Sequence, residues 1–278
     1  MIHDPPNRWE TGSTFAIVVL TIISSLFGLY RDNHYAVATD EITRFVVQDL
    51  ILLVVVIPVL VIGLIQARRS SIRGRIIWLG GLVCMVYMWI HHAFVVPYSD
   101  FFLVCVVLVS LSVFTTTSGI VRTDPELVSE AIERGPSMVL YSGFLGLTAI
   151  ALGGLWLSEI IPALLDNELP AAIVQFGPEA THTYVIDLGF LVPALGLTAV
   201  WTARDQPWWY VFTGVLLVFA ALIAPILTAI TFVDLQEGVE ISIGLLLGSI
   251  IPPMIGLILS LSYLKRIESL GAGQDGAI

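Results

Sequence analysis

The side chains of this sequence that could carry chemistry are a few polar residues inside long apolar segments. Asp49 and Asp187 lie deepest, Gln48 directly precedes Asp49, and the adjacent pair His91 and His92 comes near the end of another segment. Ionisable groups are rare within membrane spans because burying an unpaired charge is costly, and those that occur are candidates for function. These five residues form the predicted binding site for a ligand or a proton.

Asp100, Glu159 and His182 are secondary candidates for the same site. Each stands close to the end of an apolar segment. A charged side chain at that position can reach water, so we expect these three groups to be mainly solvated.

The primary candidates also have a structural interpretation. Asp49 and Asp187 could hold helices together by pairing with a histidine or with the hydroxyls of Tyr87 and Tyr184. Adjacent residues of a helix point about 100° apart, so at most one histidine of the 91–92 pair easily faces the centre of a bundle. That histidine would either make a structural hydrogen bond or act as a ligand or proton relay.

Two carboxylates with one or two imidazoles suit several kinds of chemistry. They are ligands for a divalent metal, and proton-coupled carriers build their relays from the same groups. His91 and His182 would hold a haem if their imidazoles faced each other across two helices. No short, fixed spacing defines any of these sites, so no motif requires a cofactor and its identity stays open.

Other function classes are excluded by what the sequence does not contain. No lysine lies in the core of an apolar segment, which excludes a retinal Schiff base of the microbial-rhodopsin kind. There is no GxxxxGK[ST], HExxH, GxSxG or CxxC motif. The net charge is −10 and no basic patch occurs, so nucleic acid is not an expected partner. On balance the sequence favours a protein that is not an enzyme.

The composition predicts one integral membrane domain covering residues 1–278. Hydrophobic residues make up 57% and charged residues 12%, where a soluble domain carries about 25% charged residues. A spanning helix needs about 20 apolar residues, and eight blocks qualify. They cover residues 14–30, 45–66, 76–96, 100–121, 137–160, 182–202, 208–232 and 241–264.

A short helix is predicted on the cytoplasmic surface at residues 124–134. Asp124 is a good N-cap and Pro125 suits the first helical position, while Gly135 and Pro136 would end the helix. We expect this helix to be a connector.

The basic residues predict the orientation, since cytoplasmic loops are enriched in lysine and arginine. With eight spans and the N-terminus inside, ten of the twelve basic residues lie inside and two, Arg31 and Arg44, lie outside. The ten are Arg8, Arg68, Arg69, Arg73, Arg75, Arg122, Arg134, Arg204, Lys265 and Arg266. The fold class is therefore an all-α bundle of eight transmembrane helices in the cell membrane, with both termini cytoplasmic. Acidic loops and a single lysine are typical of a halophile.

The candidate residues all fall in the outer third of their spans. The inner third holds mainly the hydroxyl run Thr115–Ser118, which we expect to bond back to its own helix. This asymmetry predicts a carrier or sensor that binds a cation, proton or small polar ligand in a chamber open to the outside. One alternative is an intramembrane metal- or haem-dependent enzyme or redox protein, and another is a structural or assembly subunit. The lipid bilayer is the one partner that the sequence implies directly.

Small residues and prolines predict details of the packing. Gly80 and Gly81 in the third span, and the GxxxG formed by Gly244 and Gly248, are expected to pack helices closely within one bundle. Mid-span prolines at Pro58, Pro193, Pro252 and Pro253 are expected to distort their helices.

Four short motifs resemble those of a widespread group of prokaryotic multi-pass membrane proteins. The likeness covers about residues 45–232, and no activity is established for the group, so the resemblance implies no catalytic residue. In that group aromatic and asparagine residues tend to follow the third span, where this chain has His91, His92 and Asp100. The motifs are Gln48-Asp49-Leu50, Arg73-x-Arg-x-x-Trp78-Leu79-Gly80, Asp187-Leu188-Gly189-Phe190-x-x-Pro193 and Pro207-Trp208-x-Tyr210.

Overall fold

Eight helices in the described part of the chain are long and apolar enough to cross a membrane, as predicted. The structure is a computed structural model that describes residues 4–31, 34, 39–96, 100–133, 137–204, 206–239, 241 and 243–267. Spans 1 to 8 are Arg8–Tyr30, Ile42–Arg68, Ile72–Val95, Phe102–Val121, Met138–Asp166, Thr181–Thr202, Trp208–Gln236 and Leu246–Lys265.

Span 1 begins six residues earlier than the apolar pattern predicts. Asn7 caps the helix by accepting a hydrogen bond from the backbone N–H of Glu10, and the Glu10 carboxylate accepts one from the N–H of Asn7. This capping box satisfies two backbone donors that would otherwise have no helical partner. The helix can therefore include a polar first turn.

The predicted surface helix is shorter than expected and covers Pro125–Glu130. Asp124 caps it, accepting hydrogen bonds from the N–H groups of Glu126 and Leu127. Ile132 then forms a short antiparallel bridge with Ile267, after span 8. The predicted stop at residues 135–136 lies outside the described residues.

Both described chain ends lie at the same end of the bundle, called here the terminal side. The opposite end is called the distal side. Contacts between helix ends establish the terminal side: Ser118 donates to Glu10, Arg75 to Thr123, and Arg73 to the carbonyl of Ile267. Ion pairs join helix ends on the distal side: Arg31 with Asp100, and Arg44 with Asp234.

Spans 3 and 7 form the centre of the bundle. Within their most apolar segments, 61% and 56% of the residues are buried, against 17% for span 5. Gly80 allows the close contact between the two central spans, because an added Cβ would lie 2.5 Å from Val218. Gly81 similarly faces Leu60 of span 2, which confirms the packing predicted for these two glycines. Gly248 has no atom within 4 Å of an added Cβ, so the same prediction is wrong there.

Spans 2 and 6 each contain one π-helical turn that ends two residues before a proline. The turns are Leu52–Val56 and Asp187–Leu191. A proline within a helix lacks the N–H for the regular hydrogen bond and clashes with the preceding turn. Widening that turn relieves the clash before Pro58 and Pro193. The second π-turn begins at a candidate site residue, and such turns are frequent at functional sites.

Candidate functional site

A direct contact between two histidines joins span 3 to span 6 near the distal side. Nδ1 of His91 lies 2.5 Å from Nε2 of His182, and the ring centroids are 4.5 Å apart. A neutral imidazole has one N–H donor and one acceptor nitrogen, so this contact holds one shared proton. Both rings are half-buried. His182, a secondary candidate from the sequence, is therefore a main component of the site.

The carboxylate of Asp187 joins three spans close to the histidine contact. It is buried and accepts hydrogen bonds from the Tyr87 hydroxyl at 3.2 Å and from Nε1 of Trp156 at 2.8 Å. Tyr87 precedes His91 by one helical turn, so both contacts lie on the same face of span 3. The predicted tyrosine partner of Asp187 is thus present. We call Tyr87, His91, Trp156, His182 and Asp187 the distal cluster.

Asp187→Asn is expected to weaken this junction, because an amide oxygen can replace one acceptor while its NH₂ group cannot replace the other. A buried donor left unsatisfied costs about 1–3 kcal/mol, and the apparent melting temperature should fall accordingly. Asp100→Asn is the matched control, since the Asp100 side chain is 79% exposed in its ion pair with Arg31. Equal melting temperatures for the two variants would contradict the role assigned to Asp187.

The other secondary candidates differ in their surroundings. Asp100 is exposed, as predicted. Glu159 is half-buried and accepts hydrogen bonds from the Tyr184 hydroxyl at 2.9 Å and from the N–H of Ala172 at 2.7 Å. The expectation of a simply solvated group is therefore wrong for Glu159, which connects span 5 to span 6 and to the loop between them.

His92 points away from the distal cluster, as the predicted divergence of adjacent residues requires. Its ring is buried, with Nδ1 2.8 Å from the carbonyl of Met88, and it packs against Phe45 and Trp89. Asp49 is fully buried and Gln48 nearly so. The Asp49 carboxylate lies close enough to Cys105 of span 4 to act on its thiol electrostatically.

The five primary candidates are thus divided between two regions. His91 and Asp187 belong to the distal cluster between spans 3, 5 and 6. Gln48, Asp49 and His92 lie among spans 1 to 4. Within the described part of the chain, no group of three or more His, Cys, Asp or Glu side chains is arranged to hold a metal ion.

Two buried charges on the terminal side were not among the predicted candidates. Glu10 is fully buried, accepts a hydrogen bond from Ser118 at 2.9 Å and lies 3.4 Å from Nε of Arg122. Arg75 is also fully buried, donates to Thr123 and to the carbonyl of Gly119, and lies over the ring of Trp78. The Asn-x-x-Glu pattern at residues 7–10 was the available signal for a helix that begins at Arg8 and includes Glu10. For Arg75 the sequence indicated only that it is one of the basic residues that predict the orientation of the protein.

The buried face of span 1 is polar along most of its length. Its residues recur every three or four positions, and tryptophans of span 3 donate to two of them, Trp78 to Thr14 and Trp89 to Thr21. Thr115 of span 4 donates to Ser13 at 2.7 Å. The buried face comprises Glu10, Ser13, Thr14, Ile17, Thr21, Ser24, Ser25 and Gly28.

The hydroxyl run of span 4 therefore has two roles. Thr116 and Thr117 bond back to their own helix, as predicted. Thr115 and Ser118 instead bond to span 1, so the prediction is wrong for these two. The physical reason is that both lie on the face of span 4 that meets the polar face of span 1.

These observations define a helical bundle whose described part has eight helices long and apolar enough to cross a membrane, with two separate polar regions among them. No known protein family, characterised protein or solved structure matches the chain. The resemblance to a group of prokaryotic membrane proteins therefore stays a prediction.

Proposed function

We propose that the protein is a proton sensor of the cell membrane, with the contact between His91 and His182 as its responsive element. The observation that carries the proposal is the 2.5 Å separation of the two ring nitrogens. A proton is the ligand that this geometry favours. Metal–nitrogen bonds are about 2.0–2.1 Å, so an ion bound to both rings with tetrahedral geometry would need nitrogens about 3.3 Å apart.

The response follows from the chemistry of the imidazole ring. With one shared proton, one ring donates and the other accepts. Two further protons, one on each ring, give both rings a positive charge and remove the acceptor. Two charges at the centroid separation of 4.5 Å repel by about 4 kcal/mol at an effective dielectric constant of about 20. This repulsion exceeds the net value of about 0.5–1.5 kcal/mol for a typical hydrogen bond.

The positions of the two spans favour a sensor over a simple structural contact. Span 3 is central, whereas only 22% of the apolar segment of span 6 is buried. Acidification would therefore move span 6 away from a fixed span 3. The π-turn at Asp187–Leu191 lies between the histidine contact and the rest of span 6. A movement that begins at the histidine contact would therefore pass through this turn.

We further propose that the terminal side is cytoplasmic and the distal side faces outward. The count of ten basic residues against two supports this orientation. The histidine contact would then respond to protons outside the cell. Acidic loops with a single lysine favour a salt-rich habitat, and the four motifs favour a prokaryotic source.

Spin labels on spans 3 and 6 would test the acid response. Phe94→Cys and Val185→Cys place labels on exposed positions of the two spans, while the native cysteines are buried. Between about pH 8 and about pH 4.5, which brackets the ordinary imidazole pKa of about 6.5, the label distance should increase by about 2 Å or more.

Two further variants make this experiment specific. His91→Gln retains hydrogen-bonding groups but does not titrate, so the acid response should disappear. His34→Gln removes a histidine outside the contact and should leave the acid response intact. A distance independent of pH in the labelled wild type, or an equal response in His91→Gln, would overturn the proposal.

A further inference from the structure

Four buried side-chain atoms among spans 1 to 4 have no hydrogen-bond partner among the described residues. They are Ser25 Oγ, Gln48 Oε1, Arg75 Nη1 and Ser112 Oγ. A buried polar atom without a partner costs free energy, and in native proteins such atoms are usually satisfied by ordered water. Because each of the four spans contributes one atom, the structure indicates where water would bind.

These atoms belong to one polar region of the bundle, called here the polar seam. It consists of the buried polar face of span 1 and the side chains that face it from spans 2, 3 and 4. From Glu10 to Ser25 the face covers 15 residue steps, or about 22 Å at 1.5 Å per residue. The hydrocarbon core of a bilayer is about 30 Å thick, so the polar seam crosses most of it.

The one apolar side chain in the middle of this face is Ile17. The pairs Glu10 with Ser118 and Ser13 with Thr115 show that spans 1 and 4 are antiparallel. Continuing this alignment by one turn places Ser112 level with Ile17. The unsatisfied hydroxyl of Ser112 therefore lies where span 1 itself offers no polar group.

Each end of the polar seam carries a buried carboxylate. Glu10 lies at the terminal end, where Arg122, Arg75 and Asp4 are the neighbouring charges. Asp49 lies at the distal end, close enough to Cys105 of span 4 to interact with it electrostatically.

The distal end also carries two histidines. His92 packs there, and His34 lies near it outside the spans. Burial and the charge of Arg31 lower the pKa of His34, so this histidine is neutral near neutral pH. Each end of the polar seam thus has a group that can take up and release a proton.

We propose that the polar seam binds a file of water molecules and conducts protons between Asp49 and Glu10. A proton taken up at one end is matched by a proton released at the other. Each transfer step breaks one O–H bond and forms another, so the net change in covalent bonds is zero. The path is separate from the contact between His91 and His182 and does not depend on the proposed sensor.

Proton flux into proteoliposomes tests this path directly. Purified full-length protein is reconstituted around a pH-sensitive dye, and potassium with valinomycin balances the charge after an external acid step. Ser112→Val replaces the central hydroxyl by two methyl groups. It should reduce the protein-dependent flux at least about tenfold, which corresponds to about 1.4 kcal/mol in the barrier.

Two variants complete the test. Thr148→Val is the matched control, because that hydroxyl bonds to Phe144 within span 5, away from the polar seam. It should conduct like the wild type. Ile17→Ser replaces the apolar interruption by a hydroxyl and should increase the flux.

Two results would overturn the proposal. One is a wild-type flux equal to that of empty liposomes, and the other is equal flux through Ser112→Val and Thr148→Val. The label distances between spans 3 and 6 do not enter this assay. Failure of the proton path and failure of the proton sensor are therefore distinguishable.

Discussion

Glu10→Ala is expected to lower the free energy of unfolding by about 3–5 kcal/mol, the typical cost of breaking a buried charge pair. The change removes the carboxylate of the capping box and the acceptor of the Ser118 hydroxyl. It also removes the principal negative charge that acts on the buried guanidinium of Arg75. Because Arg75 is fully buried, its charge cannot be compensated by bulk water. A large decrease in the apparent melting temperature should report this loss.

The double variant Glu10→Ala/Arg75→Met separates the charge interaction from the loss of the cap. Removing both charges avoids the isolated buried cation, so the double variant should be more stable than Glu10→Ala alone. Glu10 acts on Arg75 electrostatically, and coupling between interacting groups amounts to about 0.5–3 kcal/mol. Glu130→Ala, at an exposed position of the short surface helix, controls for the loss of a glutamate. Strictly additive losses in the double variant would contradict the coupling between Glu10 and Arg75.

The number and type of the helices could be predicted because both depend on local composition. Long apolar blocks can satisfy their backbone groups in a membrane only as helices or closed barrels. Eight such blocks gave the eight spans. The start of span 1 was missed because a capping box allows a helix to include polar residues outside the apolar block.

The candidate site could be predicted only in part, because convergence depends on how the helices pack. The sequence placed Asp49 and Asp187 at similar depth, but depth does not determine which neighbour a side chain faces. Asp187 faces Tyr87 and Trp156, whereas Asp49 lies near Cys105. The sequence predicted one polar chamber, whereas the structure has two polar regions on different faces of span 3.

Uncharged polar residues were the larger omission. The predicted site contained mainly ionisable residues, yet serine and threonine recur on one face of span 1, as Ser13, Thr14, Thr21, Ser24 and Ser25. That spacing follows the period of a helix and was readable as a polar face. What it could not show is that Ser13 and Thr115 would meet.

Histidines 91 and 92 link these two regions through span 3. His91 contacts span 6, while one residue later His92 packs against Phe45 of span 2. A movement of span 3 relative to its neighbours would therefore change both environments. The separate assays of label distance and proton flux would show whether the two regions act together.

Gly63→Ala is expected to destabilise the bundle by about 3 kcal/mol, at the upper end of the usual range for overpacking. Span 2 crosses span 3 here so closely that an added Cβ would lie 2.6 Å from the backbone nitrogen of Trp78 and 2.9 Å from its Cα. A side chain could rotate away, but the backbone of a central span cannot move without disturbing the packing around Trp78. Trp78 is fully buried, so little space remains for that movement.

Gly154→Ala provides a matched control with the opposite expected sign. Nothing lies within 4 Å of an added Cβ at this position in span 5. Alanine has a higher helix propensity than glycine, by up to about 1 kcal/mol, so this variant should be as stable as the wild type or slightly more stable. The difference between the two variants in apparent melting temperature isolates the close contact from the general effect of replacing glycine. Equal melting temperatures would mean that spans 2 and 3 do not approach as closely at Gly63 as the structure requires.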